Sequence, residues 1–232
     1  METPSFLLTS TADREQVLDM AEPGVRLSVF MADDHKIVGD GLRLLIDREA
    51  GFHLVGEAAD GRALVEGVLA TQPDVVITDI AMPELNGLEA VRQLRAAGYK
   101  GLMVVLSMHN ERKFVAEALA AGVNAYVLKD YAFTQLLSAI AAAKAGKTWL
   151  SPQLRNMVQE GEVPTLATLL SVREREVLQL LAEGHGTKEV AFRLQLSPKT
   201  VETHRLSLFS KLKVGGLADL VRIAVKEGLV KL

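Results

Sequence analysis

From Arg26 to Ala145 the chain repeats one pattern five times. A short apolar run is followed by a longer stretch with apolar residues at helical spacing. The runs are 27–32, 53–58, 74–79, 102–107 and 124–128, and the helical stretches are 36–49, 61–71, 87–97, 110–121 and 132–145. Strands separated by helices cannot pair through tight hairpins, so each returns parallel to the last through a helical crossover. The pattern predicts an α/β domain over residues 25–145 with a doubly wound, five-stranded parallel sheet. The third and fourth runs are almost wholly apolar, as central strands covered on both faces must be. In 36–49, Ile37, Gly41, Leu44 and Leu45 share one face at helical spacing.

Residues 1–24 carry little periodicity and read as an N-terminal extension. Residues 146–168 break the pattern with Pro152, Pro164 and the polar stretch QEGEV, and read as a linker holding at most a short helix. Trp149, the only tryptophan, lies there. Residues 169–232 read as an all-α domain of four helices. Ser171 and Glu174 form a capping box. Gly184 and Gly186 end that first helix, and Thr187 is expected to cap the second. Ser197 with Pro198 marks a strong start for the third, which runs to Gly215-Gly216. The fourth covers about 217–228.

No apolar run in the sequence approaches the roughly 20 residues that span a bilayer, and the N-terminus lacks the pattern of a secretory signal. There is no cysteine, which excludes disulfides and cysteine zinc sites. A cytoplasmic protein without a membrane partner is expected. The charge is uneven. Residues 165–232 hold 11 Lys/Arg against 7 Asp/Glu (+4), and residues 1–164 hold 15 against 22 (−7). An acidic first part and a basic last part suggest a cation site followed by a polyanion-binding module.

Chemistry-bearing residues stand at the ends of four apolar runs: Asp33 and Asp34 after LSVFMA, Asp79 at the end of PDVVITD, Ser107 after LMVVL and Lys129 after AYVL. Strand ends are where open α/β sheets place their sites. Three carboxylates together are costly unless a cation neutralises them, and oxygen-only ligation suits Mg²⁺. Such a site can take a phosphoryl group at Asp79, with Lys129 as counter-charge and Ser107 as hydrogen-bond donor.

The motifs ADDH (32–35), TDIAMPELNG (78–87), LSMH (106–109) and AYVLKD (125–130) carry a resemblance. Residues 25–145 resemble the receiver domain of two-component response regulators, a flavodoxin-like fold. The resemblance implies that Asp79 accepts phosphate from a sensor histidine kinase. It implies Mg²⁺ held by Asp34, Asp79 and the Ala81 carbonyl, with Asp33 acting largely through water. Ser107 and Tyr126 would be a switch pair, the ring turning inward behind the moving hydroxyl. Two positions depart from the pattern. Lys36 replaces a common proline, and Tyr131 stands where many receivers have proline. His35 and His109 lie near the site but are not expected to bind the metal.

In the third helix of the last domain, Val201, Arg205, Leu208 and Leu212 are expected to face inward. Lys199, Glu202, Thr203 and Leu206 on the opposite face would enter a major groove. Lys188, Lys199, Arg205, Lys211 and Lys213 are candidates for phosphate contacts. The run from LSVREREVLQLL to LFSKLKV is similar to a LuxR-type DNA-binding domain over nearly its full length, and the whole chain to the NarL/FixJ class. The similarity implies DNA-contact roles for Thr200 and His204 as well, and a homodimer through the last helix when phosphorylated or bound to DNA.

These readings converge on a phosphorylation-switched regulator that binds double-stranded promoter DNA and is not an enzyme. Two rivals share parts of the pattern. A Mg²⁺-dependent phosphatase or phosphotransferase using Asp79 would leave the last domain unexplained. A constitutive DNA binder would leave the acidic triad, Ser107 and Lys129 unexplained.

Overall fold

The computed structural model of the chain describes residues 26–157 and 165–231. The expected extension at 1–24 and most of the polar stretch before Thr165 lie outside the described residues. The first domain alternates β1 (Leu27–Ala32), α1 (Lys36–Arg48), β2 (Phe52–Ala58), α2 (Gly61–Thr71), β3 (Val75–Asp79), α3 (Gly87–Ala96), β4 (Leu102–Ser107), α4 (Arg112–Ala121), β5 (Ala125–Leu128) and α5 (Ala132–Lys144). All five strands are parallel, in the order β2-β1-β3-β4-β5. Every residue of β3 is buried. One apolar layer, with Phe30, Leu64, Leu88 and Phe114, fills one side of the sheet. A second, with Leu42, Ile77, Leu106 and Ile140, fills the other.

The sheet has a sixth strand that the sequence pattern does not announce. Residues Trp149–Leu150 form β6, parallel to β5. They fall in the stretch read as linker. A 3-10 turn follows at Pro152–Met157, and Leu154 is buried in the first apolar layer. The sheet domain therefore reaches past residue 145. Two residues are too few to show a strand period, and this hid β6.

The face of α1 that helical spacing picks out is not the whole of the face that packs on the sheet. Ile37 and Leu44 are exposed, at 89% and 58%. Leu42 and Ile46 are buried, flanked by Val38 and Leu45. The helix carries two apolar stripes, and Val38, Leu42, Leu45 and Ile46 form the one that meets the sheet. Gly41 lies against the Phe133 ring, which a β-carbon there would approach to 2.7 Å.

The second domain is helical: a short α6 (Leu166–Leu169), then α7 (Val172–Ala182), α8 (Thr187–Leu194), α9 (Pro198–Leu212) and α10 (Leu217–Lys226). The capping box of Ser171 and Glu174 forms, and Ser197 caps α9 with Pro198 in its first turn. Gly186, rather than Thr187, is the cap residue of α8. The Thr187 hydroxyl instead donates to Glu202 at 2.7 Å. Glu174 does more than cap. It accepts from Ser207 Oγ at 2.6 Å and from Lys211 Nζ at 2.7 Å, and so ties α7 to α9. Burial works to raise its pKa, but bonds from Lys211, Ser207 and Ser171 outweigh that and hold it down at about 2.

Two outcomes test this packing. Leu42→Ala should cost about 2–5 kcal/mol in urea unfolding, and Ile37→Ala within about 0.5 kcal/mol; comparable losses would contradict the inward face assigned to α1. Because the Glu174 carboxyl is depressed in the folded state, its contribution is full above the ordinary carboxylate range and is lost as pH falls toward about 2. Thermal unfolding of the helical domain should lose stability over that window. Glu174→Gln should be less stable at neutral pH and flatter across it.

Candidate functional site

The register of the sheet assembles the site. Ala32 is opposite Thr78, Asp79 is opposite Leu106, and Ser107 is opposite Leu128. The strand ends are therefore nearly flush, and the next residues, Asp33 and Lys129, emerge beside Asp79. The turn after β3 is held open by Gly87. Its N–H donates to the Ile80 carbonyl at 2.7 Å, and a β-carbon there would stand 1.9 Å from the Asp79 carbonyl oxygen. Asn86 caps α3 through Leu88 N–H.

Asp79 is 4% exposed. Its Oδ1 accepts the Ile80 N–H at 2.6 Å, and its Oδ2 accepts Lys129 Nζ at 2.8 Å. Lys129 also pairs with Asp33 Oδ2 at 2.8 Å. Asp33 Oδ1 accepts the His35 N–H at 2.8 Å. Asp33, Asp34, His35 and Asp79 each offer a ligand atom within 4.8 Å of the others. Three expected carboxylates and the expected lysine thus meet in one place. Ala81 is buried in the turn beside them. Lys36 lies on the rim, lining a 460 Å³ cleft with Asp33 and Asp34.

Ser107 is fully buried, and its Oγ accepts the His109 N–H at 3.0 Å. The Tyr126 ring is also fully buried, with its hydroxyl donating to the His109 carbonyl at 2.8 Å. The ring is therefore already turned in. Burial raises the Tyr126 pKa, against a smaller opposing effect of Ser107. His109 stacks on Phe114 at 4.0 Å, and burial lowers its pKa.

One site residue was not foreseen. Lys231, from the segment after α10, donates to Asp34 Oδ1 at 2.6 Å and to Asp79 Oδ2 at 2.9 Å. His35 Nδ1 lies 3.1 Å from the same ammonium. Burial works to lower the Lys231 pKa, but the bonds to Asp34 and Asp79 more than reverse it, and the net shift is upward. Nothing in the sequence near Lys231 marks it, because its partners lie more than 150 residues away. The donor set fits a divalent cation: the oxygens are hard, and an ammonium already bridges two of them.

The helical domain is docked on this end of the sheet. Arg175 on α7 meets Glu89 on α3 at 2.6 Å, with both side chains buried. Gln179 accepts the Asn86 N–H at 2.7 Å and donates to the Met82 carbonyl at 2.9 Å. Glu183 accepts the Glu84 N–H at 3.1 Å, and Glu84, with φ +66, pairs with Arg193. Lys113 pairs with Glu227 at 3.0 Å.

The outer face of α9 is not covered by this docking: Lys199, Thr203 and Leu206 are exposed, as is Lys188 on α8. Val201 and Leu208 are buried as expected, while Leu212 and Arg205 are half-buried. Arg205 lies over the Phe209 ring, 5.7 Å from its centroid. One groove candidate and one phosphate-contact candidate are engaged within the domain. Glu202 is held by Thr187 and Arg205, and Lys211 by Glu174. Thr200 bonds Ser197 near the start of α9, and His204 is half-buried.

Residues 29–141 match the response regulator receiver domain family, and residues 168–224 match the bacterial regulatory proteins, luxR family. Response regulator UvrY of Escherichia coli (strain K12) is 30% identical over 208 residues, covering 88% of this chain and 95% of the relative. Oxygen regulatory protein NreC of Staphylococcus carnosus is 30% identical over 215 residues, covering 88% and 99%. Among solved structures, RcsB from Salmonella enterica serovar Typhimurium bound to promoter rprA in the presence of phosphomimetic BeF3- matches with a TM-score of 0.59 at 30% identity, over 85% of this chain and 98% of that one. The chain belongs to the NarL/FixJ-type response regulators, transcription regulators that join a receiver domain to a LuxR-type DNA-binding domain.

Proposed function

We propose that Asp79 is the phosphoacceptor through which a sensor histidine kinase controls DNA binding by α9. The observation that carries this is the meeting of Asp33, Asp34, Asp79 and Lys129 at flush strand ends, with Asp79 buried at the centre. In the transfer, an Asp79 carboxylate oxygen forms a bond to phosphorus as the phosphorus–nitrogen bond of a phosphohistidine breaks. The electron pair returns to the imidazole nitrogen. Receiver domains of this family generally bind Mg²⁺ at an acidic pocket. Here Asp33, Asp34, Asp79 and the Ala81 carbonyl would hold it, Asp33 doing so through water. Bound there, Mg²⁺ neutralises charge on the phosphoryl oxygens. Lys129 supplies a fixed positive charge at Asp79 Oδ2, worth about 4 kcal/mol per unit charge at 4 Å and an effective dielectric near 20. Ser107 Oγ, at the end of β4, would donate its hydrogen to a phosphoryl oxygen while its lone pairs remain open to the His109 N–H. The Tyr126 ring backs it and restrains the loop through the His109 carbonyl.

On DNA, Lys199, Thr203 and Leu206 form the groove face, with Lys188, Thr200, His204 and Arg205 at its borders. Glu202 and Lys211 contribute only by exchanging their present partners, Thr187 and Glu174. Phosphorylation would shift the balance between docked and released domains. It would favour a homodimer on paired half-sites, through the exposed part of α10. The reading places this work in the cytoplasm, where promoter DNA lies. Among the described residues no helix is long and apolar enough to cross a membrane.

Asp79→Asn should abolish base-labile label taken up from acetyl phosphate with Mg²⁺. Full labelling of that variant would sink the assignment. For DNA, Lys199→Ala should lower the slope of log K against log salt by about 0.9 if it neutralises one phosphate. Thr203→Ala should alter which base pair is preferred, by roughly 1–3 kcal/mol. Lys211→Ala should instead lower the thermal stability of the helical domain. A change of base preference on Lys211→Ala but not on Thr203→Ala would rotate the assigned face.

A further inference from the structure

We infer that Lys231 is a built-in counter-cation of the phosphoacceptor site, which competes with the divalent metal and thereby links metal binding to docking of the DNA-binding domain. The inference rests on the assignment of Asp34 and Asp79 as metal carboxylates. Its geometry is specific. The Lys231 ammonium bridges one oxygen of each, at 2.6 and 2.9 Å. A Mg²⁺ ion binds oxygen at about 2.0–2.1 Å and keeps a shell of waters, so it and this ammonium compete for the same two carboxylates. Both Asp79 oxygens are already hydrogen-bonded. Oδ2 accepts from both Lys129 and Lys231, and Oδ1 accepts from the backbone.

Lys231 is delivered by a held segment. Leu229 and Val230 are buried with the apolar core of the helical domain. Gly228 has φ +64, and its carbonyl accepts from Asn86 Nδ2 at 3.2 Å. A β-carbon at Gly228 would come within 2.8 Å of the Phe114 ring and 2.9 Å of His109. Lys113 donates to the Lys226 carbonyl at 2.8 Å. The last helix of the DNA-binding domain is thus anchored along α4 and Asn86, and its following residues place one ammonium in the acidic site.

The charges favour exchange. Asp33, Asp34 and Asp79 face Lys129 and Lys231, leaving one negative charge unbalanced. A divalent ion in place of Lys231 would balance the site. Because Lys231 belongs to the domain that must leave, the coupling is reciprocal: the factor by which docking weakens metal binding is the factor by which metal weakens docking.

The test is Mg²⁺ titration by calorimetry on the full chain, with small-angle scattering on the same samples. Lys231→Ala should bind Mg²⁺ about tenfold more tightly, equivalent to about 1.4 kcal/mol. It should also show a larger radius of gyration without metal. Lys231→Arg should behave closer to the parent, and Asp34→Ala should lose binding in either background. Gly228→Ala, which disturbs the segment without touching the charge, should move affinity and radius in the same direction as Lys231→Ala. If Asp34→Ala abolishes binding while Lys231→Ala leaves the affinity unchanged, the metal site stands and the competition is overturned. If Asp34→Ala leaves binding intact, the metal assignment itself fails and the competition falls with it.

Discussion

Three carboxylates packed at the flush ends of neighbouring strands are the constraint on which the rest of this molecule depends. Their mutual repulsion has to be met, and the protein meets it with groups from distant parts of the chain. Lys129 comes from the end of β5, one position past the residue that pairs with Ser107. Lys231 comes from the other domain. The first belongs to the sheet domain itself, in the turn just after β5, and would stay when the site is loaded. The second can be exchanged. The same electrostatic need that makes the site reactive toward phosphoryl groups therefore gives it a way to sense where the DNA-binding domain is.

The interface follows the same logic. It carries a set of polar contacts, Glu89 with Arg175, Asn86 and Met82 with Gln179, and Glu84 with Glu183 and Arg193. Buried ion pairs contribute little net stability against apolar substitutes, yet losing one partner costs several kcal/mol. Such paired polar contacts make the docking specific. Four of its residues, Met82, Glu84, Asn86 and Glu89, lie in the turn after Asp79 or in the first turn of α3. A rearrangement at Asp79 would reach the docking contacts within a few residues. In the docked form the outer face of α9 is open, while the end of α10 is engaged with Lys113. The restraint falls on the end of the domain proposed for dimerisation, and the face proposed to read bases is free.

Much of this was legible in the sequence because it is set by local pattern. The apolar runs are long enough to define five strands, and the residues that follow them define the site. The capping box at Ser171 and the Ser197-Pro198 start carry their own chemistry within four residues. What was missed depends on partners far along the chain. On α1, periodicity alone did not choose between two apolar stripes; packing chose Leu42 and Ile46 and left Ile37 outside. The two residues of β6 pair only because β5 offers an edge. Helical spacing gave the direction of Glu202, and charge marked Lys211, but neither gave the partners, Thr187 and Glu174, that hold them. Lys231 has no local signature at all.

The central claim is that occupancy of the acidic site and docking of the DNA-binding domain exclude one another. The chain lacks cysteine, so two introduced thiols label cleanly. Spin labels at the exposed positions Lys100 and Arg222 report one distance across the two domains by pulsed dipolar resonance. Without metal, the account predicts a single narrow distribution. Mg²⁺ with beryllofluoride should convert it to a longer, broader one, and Asp79→Asn should prevent the conversion. A narrow distribution that persists unchanged when the site is saturated would contradict the account.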